Sequence, residues 1–210
     1  MTAIRAEFRE LLTDAAKTPS LACSACLLGV RCRYDGQSKN AGGQLLELLL
    51  SRPIRSPKRA GHFPVQSLFR RALERPDVQV PDPSPILEPM LARGVHPICP
   101  ELFGGLSCPR LPADFLGGGG IELLSGSAVL LDRSGRNVSR EFLEGARQAL
   151  AALEGWGVTL AILKEGSPSC GVRRIQCSGV KVPGAGVTSV LLARAGFRRL
   201  TEEDLLERDS

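Results

Sequence analysis

The chain has 210 residues, which is long enough for one domain with a sizeable core and does not demand a second. Aromatic residues make up only 4% of it, so aliphatic residues must build most of that core, and no apolar stretch approaches the roughly 20 residues that a membrane-spanning helix needs. The net charge of +5 is modest and the N-terminus lacks the pattern of a secretory signal, so the sequence predicts a cytoplasmic protein.

Predicted strands and helices alternate along most of the chain. In chain order they are a helix over 1–17, a strand within 20–28, a helix over 44–50, a helix over 86–93, a strand over 95–99, a strand over 127–131, a helix over 138–154 with Ser139 as N-cap, a strand over 158–163 and a helix over 186–195. The run 158–163 is typical of a strand buried on both faces of a parallel sheet. We therefore predict a single α/β domain with a doubly wound, mostly parallel sheet.

Three segments lie outside this alternation. Residues 1–19 are predicted as a helical extension, residues 201–210 as an exposed acidic tail, and residues 20–200 as the domain itself. Within the domain, residues 51–89 are rich in proline and have no sustained period, which predicts a long irregular insertion with a short helix over 67–74. Seven basic residues and one acidic residue lie between positions 52 and 75. We interpret them as a solvated basic surface, with nucleic-acid binding as the alternative.

Cysteine is the residue type that carries the chemistry of this sequence. The seven cysteines form an odd set, which indicates free thiols or metal ligands rather than a disulfide framework. Three lie in separate loop motifs, Cys26 in SACLLG, Cys99 in CPELFGGL and Cys170 in GSPSCG, at separations of 73 and 71 residues. Each motif lies at the end of a predicted strand, where ligands bind in doubly wound sheets. We expect these thiols to converge into a metal site of the kind that holds an iron–sulfur cluster.

Two other interpretations of the cysteines stay open. Each could be a small buried apolar residue, although three in equivalent positions favour a shared role. Cys23 and Cys26 form a Cys-x-x-Cys pair, which on its own would suggest a redox dithiol or half of a zinc site. Zinc is the weaker interpretation, because the chain has no second such pair and only His62 and His96 as imidazole ligands.

The same motifs resemble a known family. SACLLG with CRYDG at 32–36, CPE at 99–101 with GGL at 104–106, and KEGSPSCG at 164–171 are similar to the bacterial family that contains thiouracil desulfidase, formerly a domain of unknown function. The resemblance covers most of the predicted domain. It implies a Rossmann-like α/β fold and a 4Fe-4S cluster held by Cys26, Cys99 and Cys170, with the fourth iron free for substrate sulfur.

The resemblance also implies a reaction. The sulfur of a thiolated nucleobase such as 2-thiouracil would bind the open iron, and water or hydroxide would replace it, which gives the oxo base and sulfide without a net redox change. By motif position, Glu101 would handle protons and Ser167 would hold the base. From the residues alone, Glu101 could instead be an exposed loop acid, and the hydroxyl of Ser167 could simply cap the turn that follows.

Several matters stay open in the sequence. Arg33, Arg110, Lys164 and Arg173 lie in or beside the motifs and would either bind an anionic group of the substrate or remain surface charges. The sequence therefore leaves open whether the thiolated substrate is a base, a nucleoside or a nucleotide. Cys177 stands where the family often has an aromatic residue. The rival functions are a non-catalytic thiol or metal-binding module that uses Cys23 and Cys26, and an RNA-binding protein that uses the basic insertion. The sequence does not indicate an oligomeric state.

Overall fold

The fold is built around a sheet of four parallel strands, which lie side by side in the order 95–98, 21–24, 160–163 and 198–201. It is taken from a computed structural model, which describes residues 20–39, 43–51, 64–177 and 179–205. The strands of this sheet are β1 Leu21–Ser24, β2 Val95–Ile98, β5 Leu160–Leu163 and β8 Arg198–Thr201. Every residue of β1, β2 and β5 is buried, as expected for parallel strands that are covered on both faces.

Alternate side chains of these strands enter two separate hydrophobic clusters. Ala22 of β1 and Ala161 of β5 belong to the cluster on one face, whereas Leu21 and Ile162 belong to the cluster on the other. Because successive residues of a strand point to opposite faces, a short apolar strand supplies both clusters at once. Helices therefore cover the sheet on both sides.

Eight helices and one 3-10 turn are present in the described residues. They are the 3-10 helix Ala25–Leu28, α1 Gln44–Leu50, α2 Pro64–Leu73, α3 Ser84–Leu91, α4 Pro100–Phe103, α5 Gly120–Ser125, α6 Ser139–Gly155, α7 Val187–Arg194 and α8 Glu202–Leu205. Leu45 and Leu49 of α1 belong to the cluster with Leu21, while Leu153 of α6 and Leu192 of α7 belong to the cluster with Ala22. The amphipathic helices thus bury their apolar sides against the sheet.

Two antiparallel hairpins lie beside the main sheet. Strand β3 Ala113–Leu116 pairs with β4 Val129–Asp132, and β6 Arg174–Cys177 pairs with β7 Val180–Pro183. Phe115 and Ile175 from these hairpins pack with Phe142 of α6 in a third hydrophobic cluster. The hairpins were not predicted from the sequence, apart from a strand near β4, because their short strands are only partly buried and carry no clear alternation.

The main predictions of helix and strand are confirmed. Helix 44–50 has the predicted bounds, the strands predicted over 95–99 and 158–163 correspond to β2 and β5, and the helices predicted over 138–154 and 186–195 correspond to α6 and α7. The segment within 20–28 is shorter as a strand than predicted, because it turns into the 3-10 helix after Ser24. The α/β class and the parallel sheet follow from these elements.

The proline-rich segment is more regular than predicted. It holds the long helix α2 and the start of α3, although residues 52–63 lie outside the described part of the chain. Phe69 of α2 is buried and meets the ring of Phe103 edge to face, with the ring centroids 5.1 Å apart. The short helix predicted over 67–74 corresponds to α2, and the helix predicted over 86–93 corresponds to α3, which begins two residues earlier. Residues 64–91 also contribute to the core, which the irregular interpretation did not anticipate. Pro64 and Pro85 lie in the first turns of α2 and α3, where proline is tolerated, whereas Pro89 lies inside α3.

Two finer expectations were wrong. Val138 rather than Ser139 is the N-cap of α6, and the Ser139 hydroxyl instead accepts a hydrogen bond from the backbone N–H of Leu130 at 2.9 Å. The acidic tail is not exposed at its start, because Glu202 is buried and pairs with Lys164. The predicted N-terminal helix and residues 206–210 lie outside the described residues. Among the helices that the structure describes, none combines the length and apolarity needed to cross a membrane.

Candidate functional site

The three motif cysteines meet because their strands are neighbours. Cys26 follows β1, Cys99 follows β2 and Cys170 lies in the loop after β5, and these three strands are adjacent and parallel. All three residues line one cavity of about 670 Å³. Glu101 and Ser167 line the same cavity. The structure therefore brings together every site residue that the sequence predicted, at the edge of the sheet where parallel strands end.

Cys26 is placed by a sharp change of direction after β1. The 3-10 helix Ala25–Leu28 ends at Gly29, whose φ of 104° lies in the left-handed region that favours glycine. The Cys26 carbonyl accepts a hydrogen bond from the N–H of Lys39 at 2.7 Å, which ties the turn to the following segment. Cys26 is the half-buried member of the three cysteines.

Cys99 is the N-cap residue of α4, and this short helix is held tightly against α6. The two helices cross where Gly104 faces Gly145, and a Cβ on Gly145 would overlap the carbonyl oxygen of Pro100. Backbone therefore contacts backbone at this crossing. Glycine at both 104 and 145 therefore allows α4, and with it Cys99, to pack this close to α6.

Cys170 lies in a loop that is hydrogen-bonded to the first turn of α7. The backbone N–H groups of Val187 and Thr188 donate to the carbonyl oxygens of Pro168 at 3.1 Å and Ser169 at 3.0 Å. The hydroxyls of Ser169 and Thr188 are 2.8 Å apart and both residues are buried. The first backbone N–H groups of α7 thus donate to carbonyl oxygens of the loop, and these hydrogen bonds fix the shape of the loop.

Glu101 is oriented by Arg110. The guanidinium Nε donates to Glu101 Oε2 at 3.0 Å and Nη2 contacts the same oxygen. Arg110 also donates to the carbonyl oxygen of Ser107 at 2.9 Å, and its side chain is only 8% exposed. The pairing leaves Glu101 Oε1 as the carboxylate oxygen without a hydrogen-bond partner among the described residues. Glu101 is therefore not an exposed loop acid but a fixed carboxylate on the cavity wall.

Ser167 uses its oxygen within its own loop. Its Oγ accepts hydrogen bonds from the N–H groups of Ser169 at 3.1 Å and Cys170 at 3.2 Å. The capping role considered from the sequence is thus present in the structure. A hydroxyl has two lone pairs and one proton, so with both lone pairs engaged the Ser167 hydroxyl has only its proton left to offer to a ligand.

The thiols around the cavity differ in acidity. A hydrogen bond from Cys32 and the positive charge of Arg110 lower the pKa of Cys99, despite its burial. Burial raises the pKa of Cys170 well above that of an ordinary thiol, and a hydrogen bond with Ser24 only partly offsets this effect. Cys99 is accordingly readier to ionise than Cys170. Metal binding must displace the proton of Cys170, as is general for thiol ligands.

The spacing of the thiols fits a cluster better than a single ion. Among the described residues, no group of three or more His, Cys, Asp or Glu side chains lies close enough together to hold one metal ion. Thiolates that hold an iron–sulfur cluster bind different irons and so stand farther apart than the ligands of one ion. The thiols of Cys26, Cys99 and Cys170 around one cavity are a donor set that suits an iron–sulfur cluster.

Cys32 is a fourth cavity cysteine that the sequence analysis left unassigned. It is buried, lines the cavity, and its thiol is hydrogen-bonded with those of Cys26 and Cys99, which raises its own pKa. Cys108 is also buried, and its thiol donates to the carbonyl oxygens of Arg31 and Arg33. The CRYDG motif contains Cys32, so the signal was present, but sequence alone does not reveal that its thiol lies between two others.

Cys23 lies apart from this cavity. It belongs to the hydrophobic cluster formed with Leu21 and Ile162, has no exposed surface, and burial raises its pKa strongly. A reactive dithiol requires an accessible thiol of low pKa. The structure therefore does not favour a redox role for the Cys23 and Cys26 pair, and both cysteines are free thiols.

Basic side chains line much of the cavity wall. Arg33, Arg110 and Lys164 do so as the sequence suggested, whereas Arg173 is not part of the wall and pairs with Asp204. Arg110 and Lys164 are each neutralised by a carboxylate. Three further cations were not predicted and have no acidic partner among the described residues: Lys39, Arg133 and Lys181. They come from three different segments, so only the fold reveals that they face one space.

Comparisons with known proteins identify the family of the chain. The family model described as 2-thiouracil desulfurase matches residues 82–204. A solved structure of the 4Fe-4S-dependent thiouracil desulfidase TudS superposes with a TM-score of 0.58 at 33% identity, over 89% of this chain and 93% of that one. The uncharacterized protein YbbK of Bacillus subtilis (strain 168) is 44% identical over 110 residues, which are 51% of this chain and 73% of YbbK.

The fold and the site together define an α/β protein whose parallel strands deliver cysteine thiols to one cavity. The extent of the matches then fixes the relationship, since the family model covers more than half of the chain. The protein belongs to the 2-thiouracil desulfurase family. The family resemblance seen in the sequence is thereby confirmed.

Proposed function

We propose that this protein is an iron–sulfur-dependent desulfidase, which removes sulfur from a thiolated nucleobase such as 2-thiouracil and gives the oxo base and sulfide. The observation that carries the proposal is the convergence of Cys26, Cys99 and Cys170 on one cavity, which also contains a fixed carboxylate and a hydroxyl donor. Membership of the 2-thiouracil desulfurase family and the likeness to a 4Fe-4S-dependent enzyme support it.

The molecular setting belongs to the same proposal. The sheet with helices on both faces would be one Rossmann-like, doubly wound domain of residues 20–200, with residues 51–89 as an insertion and short extensions at either end. We assign the protein to the cytoplasm, where thiols remain reduced. Its partner would be a small thiolated heterocycle.

Cys26, Cys99 and Cys170 would hold a 4Fe-4S cluster. When bound, the cluster would supply a thiophilic Lewis acid at the iron that has no protein ligand. The protein contributes the surroundings of that position. Burial of Cys99 and Cys170 keeps bulk water from two of the ligand sulfurs, and the three loops are fixed by the contacts with α6, α7 and Lys39.

Glu101 would move the protons of the reaction. Exchange of the thiocarbonyl sulfur for oxygen moves the two protons of a water molecule to the departing sulfide, and a carboxylate beside the substrate can accept them one at a time and pass them on. Arg110 fixes Glu101 through Oε2, so the free Oε1 is the oxygen that meets water. Ser167 would donate its hydroxyl proton to an acceptor atom of the base, because both of its lone pairs are already engaged.

The unpaired cations favour a substrate with an anionic group. Lys39, Arg133 and Lys181 line the cavity without an ion pair to a described carboxylate, beside two acids, Asp114 and Asp132, that also form no ion pair among the described residues. A phosphate would pair with such cations. The volume of about 670 Å³ has room for more than a free pyrimidine base. We therefore expect a thiolated nucleotide to bind better than the corresponding base.

Turnover measured under anaerobic conditions tests the proposal. The cluster-loaded protein should release sulfide from 2-thiouracil or from its nucleoside 5′-monophosphate, with loss of the thiocarbonyl absorption. Arg133→Ala combined with Lys181→Ala should raise KM about tenfold or more for the monophosphate and leave KM for the free base unchanged. Sulfide release from neither compound by cluster-loaded protein would refute desulfidase activity on this class of substrate. Equal KM effects on both compounds would refute the anion site alone.

A further inference from the structure

Glu165 is a buried carboxylate beside the cysteine cavity that the proposed reaction does not use. Its side chain has no exposed surface, and its Oε1 alone accepts three backbone N–H groups, those of Gly166 at 3.3 Å, Arg173 at 3.3 Å and Arg174 at 2.6 Å. Gly166 opens the loop that contains Cys170, and Arg173 and Arg174 close it. One oxygen atom therefore joins the two ends of this loop, in addition to the backbone hydrogen bond from the N–H of Gly166 to the carbonyl oxygen of Arg174 at 3.1 Å.

Ion pairing does not account for the position of this carboxylate. Arg173 lies 4.0 Å from Oε2 and donates its hydrogen bonds instead to Asp204 at 2.8 Å and Thr201 at 2.9 Å. Oε2 is buried without a hydrogen-bond partner among the described residues. Burial of a carboxylate oxygen without a hydrogen-bond partner lowers the stability of the folded state. The hydrogen bonds to Oε1 must therefore contribute more stability than this burial removes.

The backbone of Glu165 is itself held by a residue of α8. Its backbone N–H donates to Glu202 Oε2 at 2.9 Å, and Glu202 Oε1 pairs with Lys164. The base of the loop is thus anchored to α8, while the first turn of α7 holds the middle of the loop at Pro168 and Ser169. Ser167 and Cys170 lie between these two attachments.

We propose that Glu165 is a positioning residue, which closes the loop ends through Oε1 and so sets the positions of Ser167 and Cys170. Its bearing on a cluster depends on the function proposed above, whereas its effect on the loop does not. The role is geometric. It requires a hydrogen-bond acceptor at the right distance from the backbone, and it does not require a negative charge.

Two variants separate geometry from charge. Glu165→Gln removes the charge but keeps a carbonyl oxygen at full reach, whereas Glu165→Asp keeps the charge but shortens the side chain by one methylene, about 1.5 Å. Glu165→Ala removes the acceptor, and the Gln and Asp pair still decides the question if that variant does not fold. Glu203→Gln is the matched control, because Glu203 pairs with the side chain of Arg174 from outside the loop.

The first readout is alkylation of Cys170 by iodoacetamide in the cluster-free full-length protein, followed peptide by peptide, with Cys99 as the internal reference. We expect Glu165→Asp to raise the Cys170 rate about tenfold or more, as loss of buried acceptors opens a loop, with Glu165→Gln and Glu203→Gln within about threefold of wild type. Equal Cys170 rates in the Asp and Gln variants would overturn the proposal. So would a parallel rise for Cys99.

The second readout is iron content and the electron paramagnetic resonance spectrum after anaerobic reconstitution. Glu165→Asp should bind less iron or give a shifted spectrum, and Glu165→Gln should match wild type. If wild type takes up no iron, the proposed function fails, and alkylation still decides the role of Glu165. If wild type takes up iron and Glu165→Asp matches it in both readouts, the positioning role fails while the proposed function stands.

Discussion

At the scale of single residues, the site combines a fixed acid with thiols of unequal acidity. Arg110 holds Glu101 by one oxygen and is itself held by backbone carbonyls, so the carboxylate cannot rotate away from the cavity without breaking a buried ion pair. The same guanidinium favours ionisation of Cys99. One arginine therefore serves both the proton-transfer residue and a ligand residue, although nothing in the spacing of Pro109-Arg110 predicts this double contact.

Replacing Glu101 tests proton transfer separately from metal binding. Glu101→Gln keeps the size and shape of the side chain but removes its basicity, so kcat should fall about 10²- to 10⁴-fold. Iron content should remain at the wild-type level. Glu144→Gln, on the exposed side of α6, is the control and should leave kcat unchanged. A fully active Glu101→Gln variant would show that another group handles the protons.

At the scale of elements, the crossing of α4 and α6 determines how deep the Cys99 turn lies. Gly104 and Gly145 permit backbone contact there, and no side chain fits between the two helices. Parallel strands bring the cysteines to one edge of the sheet, but the end of a strand does not by itself fix the turn that follows it. The turn at Cys99 is held in place by the packing of α4 against α6.

The two glycines of α6 make a matched pair for testing this support. Gly145→Ala should lower the free energy of unfolding by about 1–3 kcal/mol, because its Cβ would overlap the Pro100 carbonyl. Gly155→Ala, at the end of the same helix, should be neutral or slightly stabilising, since a Cβ there meets nothing within 4 Å. Denaturant unfolding gives both values. Equal effects from the two substitutions would contradict the role assigned to the crossing.

At the scale of the whole molecule, the burial of Cys23 within the sheet keeps it away from the cavity. Cys23 belongs to the cluster on one face, whereas Cys26 packs against the clusters on both faces and also lines the cavity. The desulfidase account therefore predicts that Cys23→Ala keeps iron content and turnover, whereas Cys26→Ala loses both. A dithiol module would lose its function in both variants. The comparison needs only reconstituted protein and the sulfide assay.

The sequence allowed most of the central sheet and the cysteine set to be predicted. Strand β5 was predictable because its apolar run, 158–163, has the length and the β-branched residues typical of a buried strand. Burial of Glu202 was missed because a charged residue is predicted to be exposed unless its partner is known, and Lys164 is distant in sequence. Cys32 and Lys181 were missed for the same reason, since their places on the cavity wall depend on tertiary contacts.

The central claim is that three cysteines from three strand ends hold one cluster, and iron stoichiometry tests it most directly. After anaerobic reconstitution with iron and sulfide, wild type should bind about four irons per chain and show visible charge-transfer absorption. Cys170→Ser should lose most of that iron. Cys177→Ser, whose thiol lies outside the cavity and donates to the Phe115 carbonyl, should keep it. Wild-type protein without iron, or a Cys170→Ser variant that binds as much iron as wild type, would contradict the account.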